Sequence, residues 1–224
     1  MPRDGYQQRL EKLSEDVLYM SELVIERLQM GLDALQEKDD DLAWEVIEGD
    51  HEINEMYLEL EQECIDLIAL QQPVAGDLRF IAASFKIITD LERIADLATN
   101  LGDYSLDAKQ ETFPEVDIQA IGSKTIEMVG DAMDAYAAED PDACFEIGER
   151  DDDVDELCED ASELVVRELI EQQDVTDEEQ IQRTMQDVYR LLLTIRDLER
   201  VGDHAVNIAA RTLYMVDSDD SLLY

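Results

Sequence analysis

The feature that most constrains this chain is the period of its apolar residues, which recur at spacings of three and four almost throughout. Leu10, Leu13, Val17, Met20 and Val24 form one seam. Leu42, Val46, Gly49, Ile53, Met56 and Leu60 form a second, and Met185, Val188, Leu192 and Ile195 a third. This is the helical period; the alternation of a half-buried strand is absent. Glycine (9) and proline (4) are scarce in 224 residues, so the breaks are few and informative. They fall at Asp39-Asp40-Asp41, Gln72-Pro73, Phe113-Pro114, Asp140-Pro141 and residues 174–178, where Thr176 or Asp177 is suited to cap a helix. The pattern predicts an all-α chain of six helices, over 6–38, 40–71, 75–107, 115–138, 141–172 and 178–215.

The helices repeat. Residues 34–53 resemble 135–154 at an offset of 101, and in both an acidic break (Asp39, Asp140) precedes a helix carrying an aspartate (Asp50, Asp151). Later, Asp90-Leu91-Glu92-Arg93-Ile94-Ala95-Asp96 precedes Asn100, and Asp197-Leu198-Glu199-Arg200-Val201-Gly202-Asp203 precedes Asn207, at an offset of 107. The second copy therefore carries six extra residues (107 − 101), which the polar loop around 173–178 accommodates most simply. A tandem duplication follows: two pseudo-symmetric three-helix bundles, over 1–112 and 113–224.

Charge narrows the functional classes. The chain has 58 acids, 17 bases and a net charge of −41. Acids spread along the whole length, with only five lysines among the bases, suit a surface adapted to high salt, where screening shortens the Debye length to about 3 Å at 1 M. No basic patch is visible for phosphate contacts, which argues against nucleic acid as a partner. No apolar run approaches the ~20 residues of a membrane helix, and the start, MPRDGYQQRL, lacks a secretory apolar region. Cys64, Cys144 and Cys158 are odd in number and show no zinc spacing, so they are expected as buried reduced thiols. The expected location is the cytoplasm.

The chemistry lies in the carboxylates. Glu92 and Asp96 are four apart and share a helix face, as do Glu199 and Asp203, Asp50 and Asn54, and Asp151 and Asp155. If the second and third helices form a hairpin turning near Pro73, Asp50 lies 23 residues before the turn and Asp96 lies 23 after it. Asn54 and Glu92 lie 19 before and 19 after. At about 1.5 Å of rise per residue the pairs are level. The same construction brings Asp151 and Asp155 level with Asp203 and Glu199. Acids gathered this way repel and raise one another's pKa unless a cation neutralises them. All-oxygen sets suit hard cations such as Mg²⁺, Mn²⁺ or Ca²⁺, and carboxylates in helical bundles also hold iron. A cheaper reading pairs Glu92 with Arg93 and Glu199 with Arg200. The two histidines, His51 and His204, are expected on the surface; Glu48 and His51 form an E-x-x-H string that the second copy does not repeat. That counts against a carboxylate-bridged di-metal enzyme. A metal-free helical scaffold is the remaining alternative.

The doubled D-L-E-R-[IV]-[AG]-D-x-A-x-N, at Asp90–Asn100 and Asp197–Asn207, resembles the signature of the PhoU family of phosphate-uptake regulators. Pro73-Val74-Ala75-Gly76-Asp77-Leu78-Arg79 resembles that family's lead into its third helix. The resemblance runs from about residue 10 to 215. It implies two three-helix bundles with E(D)-x-x-x-D pairs holding divalent or ferric ions, as multinuclear clusters, with Fe, Mn, Mg, Zn and Ca all open. The matching positions are Asp50 with Asn54, Glu92 with Asp96, Asp151 with Asp155, and Glu199 with Asp203. Asn54 departs from the usual acid, so the first site should be the weaker. Asn100 and Asn207 end the motif and Asp90 and Asp197 begin it; these four are further candidates as ligands or as groups that orient ligands. The resemblance also implies a regulatory adaptor, not an enzyme, that restrains uptake by the phosphate ABC transporter and the starvation response. Its implied partners are the transporter's ATPase and a sensor kinase or transcription regulator, and a homodimer is expected.

Overall fold

A computed structural model describes residues 2–71, 73–107, 116–171 and 177–222. They form six α-helices and, among the described residues, no strand: α1 Pro2–Glu37, α2 Asp40–Gln71, α3 Ala75–Asp107, α4 Ile118–Ala138, α5 Pro141–Glu171 and α6 Glu178–Asp217. The boundary expected between residues 112 and 113 lies outside the described residues, as does Thr176.

The helix ends show the duplication in detail. Asp39 Oδ1 accepts from the backbone N–H groups of Asp41 and Leu42 (3.0 and 3.1 Å) at the start of α2. Asp140 Oδ1 accepts from those of Asp142 and Ala143 (3.0 and 3.2 Å) at the start of α5. Each satisfies donors that have no acceptor within the helix. The preceding residues, Lys38 and Glu139, both take left-handed backbone, with φ of 55° and 51°, the turn that closes a helix. Asp177 caps α6 by accepting from the N–H of Glu179. The equivalent of Ala75 is residue 182 (75 + 107), yet α6 starts at Glu178. The six extra residues are thus divided between a longer connector and an added first turn of α6, which Asp177 and the acidic first turn stabilise.

Helices α1–α3 pack as one bundle and α4–α6 as another, and the two meet along α3–α6 and α1–α4. Leu13, Val17, Met20, Val24 and Leu28 of α1 are fully buried, as are Ile87, Ile88, Ile94 and Ala98 of α3. Each large side chain removed from water in this way contributes about 1.5–3 kcal/mol. All three cysteines are free and buried, and burial pushes the Cys64 and Cys158 thiols up to about 12 and Cys144 to about 11. The expected inert, buried thiols are what the fold contains. No described helix is long and apolar enough to cross a membrane.

The seam between bundles is polar at its centre. Asp197 on α6 is fully buried and accepts from Asn100 Nδ2 (3.1 Å) and Tyr104 Oη (2.8 Å) on α3, and from Arg196 Nη2 (2.8 Å). Asp90 on α3 accepts from Nδ1 of His204 on α6 at 2.9 Å, both residues being buried. Arg79 donates to the Met215 carbonyl oxygen at 3.5 Å. These pairings make α3 and α6 antiparallel. They also correct the expectation of a surface His204: it occupies the position of Leu97 in the first copy (97 + 107), and Leu97 is itself buried.

A buried acid with three partners should be costly to remove. Asp197→Ala should lower unfolding stability by about 2–4 kcal/mol, because Asn100 and Tyr104 are left without an acceptor. Arg196→Ala, at a half-exposed position, should cost under about 1 kcal/mol. Chemical denaturation of both variants checks this; equal losses would contradict the hub role of Asp197.

Candidate metal centres

The helical hairpins place Asp50 near enough to Asp96, and Asp151 near enough to Asp155, Asp203 and Glu199, for the neighbouring acids to add to the effect of burial on their pKa values. In the first copy, Asp50 and Asn54 come from α2 and Glu92 and Asp96 from α3. Asp50 is half-buried, and its pKa is raised by burial first and then by Asp96. Glu92 is raised by burial, then by Asp96, with Asp50 adding to the effect. Arg93 and His204 partly offset the rise at Glu92. Asn54 Nδ2 donates to Asp50 Oδ2 at 2.6 Å, which favours the charged carboxylate and partly offsets the rise.

The second copy has no such relief. Asp151 on α5 is half-buried, and its pKa is pushed up to about 6 by burial and then by Asp155, Asp203, Asp152 and Glu199. Asp155 is raised by burial and by Asp203, and Glu199 by burial and by Asp155 and Asp203. Arg200 does not pair with Glu199. It turns toward Asp197 instead, at 3.8 Å. Asp151 Oδ1 is buried without a hydrogen-bond partner. A side chain at Gly202 on α6 would place its Cβ 3.2 Å from that oxygen, so glycine there leaves the carboxylate room against the α6 backbone. The first copy has Ala95 at the equivalent position.

The second set offers only carboxylate oxygens, the donor type that hard cations take, with several acids in one field and one buried oxygen lacking a donor. Among the described residues, however, no three histidine, cysteine, aspartate or glutamate side chains converge closely enough to hold a metal ion as they stand. The acids share a field without closing on one point.

The further candidates divide. Asp90, Asp197 and Asn100 serve the α3–α6 seam, and Asn100 is bonded to Asp197 across the two copies rather than turned to its own acidic set. Asn207 is half-buried on α6. The residues missed from the sequence are Gly202, Tyr104 and the buried His204. The Ala95/Gly202 and Leu97/His204 mismatches between copies are the signals that point to two of them.

Residues 17–105 and 118–212 each match the PhoU domain family. A relative named phosphate-specific transport system accessory protein PhoU, from Serratia marcescens, is 34% identical over 213 residues, covering 94% of this chain and 84% of that protein. A PhoU homologue from Methanothermobacter thermautotrophicus is 34% identical over 218 residues, covering 96% and 95%. The crystal structure of PhoU from Pseudomonas aeruginosa superposes with a TM-score of 0.88 at 31% identity, covering 96% of this chain and all of that one. That of the phosphate transport system regulatory protein PhoU from Streptococcus pneumoniae gives 0.86 at 25% identity.

Asp151 sets a pH signature for the metal-free protein. With its pKa raised from 3.8 to about 6, the folded chain keeps a proton between those values that the unfolded chain has lost. Stability from this group is therefore present at low pH and is lost as pH rises through that window. Asp151→Asn removes the effect. Its stability relative to wild type, measured by thermal unfolding in fixed high salt with chelator, should rise from pH 4 to pH 7, reaching roughly 1 kcal/mol after allowance for solvent screening. A difference that is flat with pH would contradict the assignment.

Proposed function

The chain belongs to the PhoU family, and on that premise we propose that it is a metal-binding regulatory adaptor that restrains phosphate uptake from the cytoplasmic side of the phosphate ABC transporter. Its relatives are named accessory proteins of the phosphate-specific transport system, which supports a regulatory role beside that transporter. The observation that carries the metal half is the doubled acidic set, with Asp151 Oδ1 buried and unpartnered in the second copy. Divalent or ferric ions are the proposed occupants, held by Asp50, Asn54, Glu92 and Asp96 in one copy and by Asp151, Asp155, Glu199 and Asp203 in the other. A cation would neutralise the charge these carboxylates share, and would draw them onto a common point. The signalling partners proposed are the transporter's ATPase and a sensor kinase or transcription regulator.

The two sites should differ. Asn54 contributes no charge and already bonds Asp50, so the second copy should bind first and more tightly. Titration of the metal-stripped protein with Mn²⁺ should show two classes of site, separated by about tenfold or more in affinity, and Gly202→Ala should weaken only the tighter class. Two equal classes, or no binding, would remove the metal half. Deleting the gene should derepress phosphate uptake and phosphate-responsive transcription; unaltered uptake would remove the regulatory half.

A further inference from the structure

The two copies differ most beside the start of their third helices. α4 begins at Ile118, the equivalent of Val17 (17 + 101), whereas α1 begins at Pro2. In the first copy the early turns of α1 lie beside the start of α3, where Leu10 and Ser14 share a cleft with Gly76 and Phe80. α4 brings no equivalent turns to the start of α6. The α6 positions equivalent to Gly76, Phe80, Ala82 and Ala83 (each + 107) are Arg183, Asp187, Tyr189 and Arg190. Residues that are small or apolar in one copy are long, charged or aromatic in the other.

These four residues and Gln186 line a cleft of about 780 Å³ between the start of α6 and the end of α3, bounded on the α3 side by Tyr104 and Asp107. A cleft of this size takes a small organic molecule. Its charge sets it apart. The cleft between α4 and α5 sets Lys124 and Arg150 against Glu127, Asp131, Asp134 and Asp153. The one beside α1 has Glu11, Asp77 and Glu139 and no base among its lining residues. Here Arg183 and Arg190 balance Asp107 and Asp187, in a chain of 58 acids and 17 bases.

The donors are placed for an extended anion. Arg190, with its side chain 17% exposed, is held by Asp187, which accepts from Nη1 at 3.0 Å. A guanidinium offers five donors in a planar fork, more than one carboxylate accepts. Arg183 pairs with Glu179 at 3.3 Å in the open, a contact worth little. The two arginines are seven residues apart, two turns along one helix face and about 10 Å on its axis. A single phosphate is too short for that span, whereas a chain of two or three fits it. Tyr189 is 66% exposed at the rim, so its ring is open to stacking. Gln186 beside it carries an amide that both donates and accepts.

We propose that this cleft is a site for a nucleoside di- or triphosphate, with the base stacked on Tyr189 and met by Gln186, and the phosphate chain held by Arg183 and Arg190. None of these residues belongs to either acidic set, so the site stands apart from the metal reading.

Calorimetric titration of ATP into the full chain at fixed salt tests it, with chelator present so that no metal bridges the nucleotide to the acidic sets. AMP and tripolyphosphate are titrated in parallel, and ATP is also titrated into Tyr189→Ala, Arg183→Gln and Arg190→Gln. Tyr189 and Arg183 are exposed, so those two variants should melt as wild type does even if Arg190→Gln does not. The expected result is one ATP per chain, with AMP and tripolyphosphate each bound about tenfold or more weaker, and a similar loss of ATP affinity in each variant. No binding of ATP to wild type would overturn the site. Equal binding to wild type and to Tyr189→Ala and Arg183→Gln would place the nucleotide elsewhere and overturn the assignment to this cleft. Tripolyphosphate bound as tightly as ATP would overturn the role of the base, and AMP bound as tightly would overturn the span between the two arginines.

Discussion

The structure depends on the α3–α6 seam. Asp197 is buried there among Asn100, Tyr104 and Arg196, and Asp90 is buried against His204. These bonds fix α3 and α6 antiparallel and make two bundles one body. They also fix the rotation of both helices. Glu199 follows Asp197 by two residues and Glu92 follows Asp90 by two, and two residues turn a helix by about 200°. An acid held in the seam therefore sends the acid two places later toward the opposite side, where α5 or α2 brings its own pair. One hydrogen-bonded contact thus joins the copies and aims both acidic sets outward. Tyr104 records the strength of the arrangement: burial and the Asp197 hydrogen bond push its phenol up to about 12.

The same acids are a liability to the fold. With 58 acidic residues, ordinary ion pairs cannot absorb them: Arg9 bonds Glu63 across α1 and α2, and Arg150 bonds Asp131 across α4 and α5, but neither acidic set contains an arginine partner of this kind. The two copies resolve the repulsion differently. In the first, an amide at position 54 replaces an acid and donates to Asp50. In the second no amide intervenes, burial and then the neighbouring acids push the Asp151 carboxyl up to about 6, and glycine at 202 keeps space beside its unpartnered oxygen. A stable fold has reason to discard such a feature unless something binds it, which makes the second set the more informative of the two.

Much of this was legible in the sequence because it depends on period and counting. Helix limits followed from Asp39, Pro73 and Asp140, and the carboxylate levels from distances to the turn. What was hidden depends on rotation about the helix axis. Asp90 and Glu92 look alike in the sequence, yet one faces the other bundle and the other faces α2. His204 looked like a surface residue because histidine is polar; only its equivalence with buried Leu97 shows its position to be internal. The start of α6 at Glu178 is legible too, because Asp177 is suited to cap a helix there and does so. A cap chooses its helix start by local hydrogen bonding, and several acids in that stretch compete for the role.

If the acidic sets at the outer faces of α3 and α6 are metal sites of unequal strength, a crystal grown with Mn²⁺ should show anomalous peaks between α5 and α6, bounded by Asp151, Asp155, Glu199 and Asp203, with weaker peaks between α2 and α3 at Asp50, Glu92 and Asp96. Peaks confined to other surface acids, or stronger at the first set than at the second, would contradict that assignment.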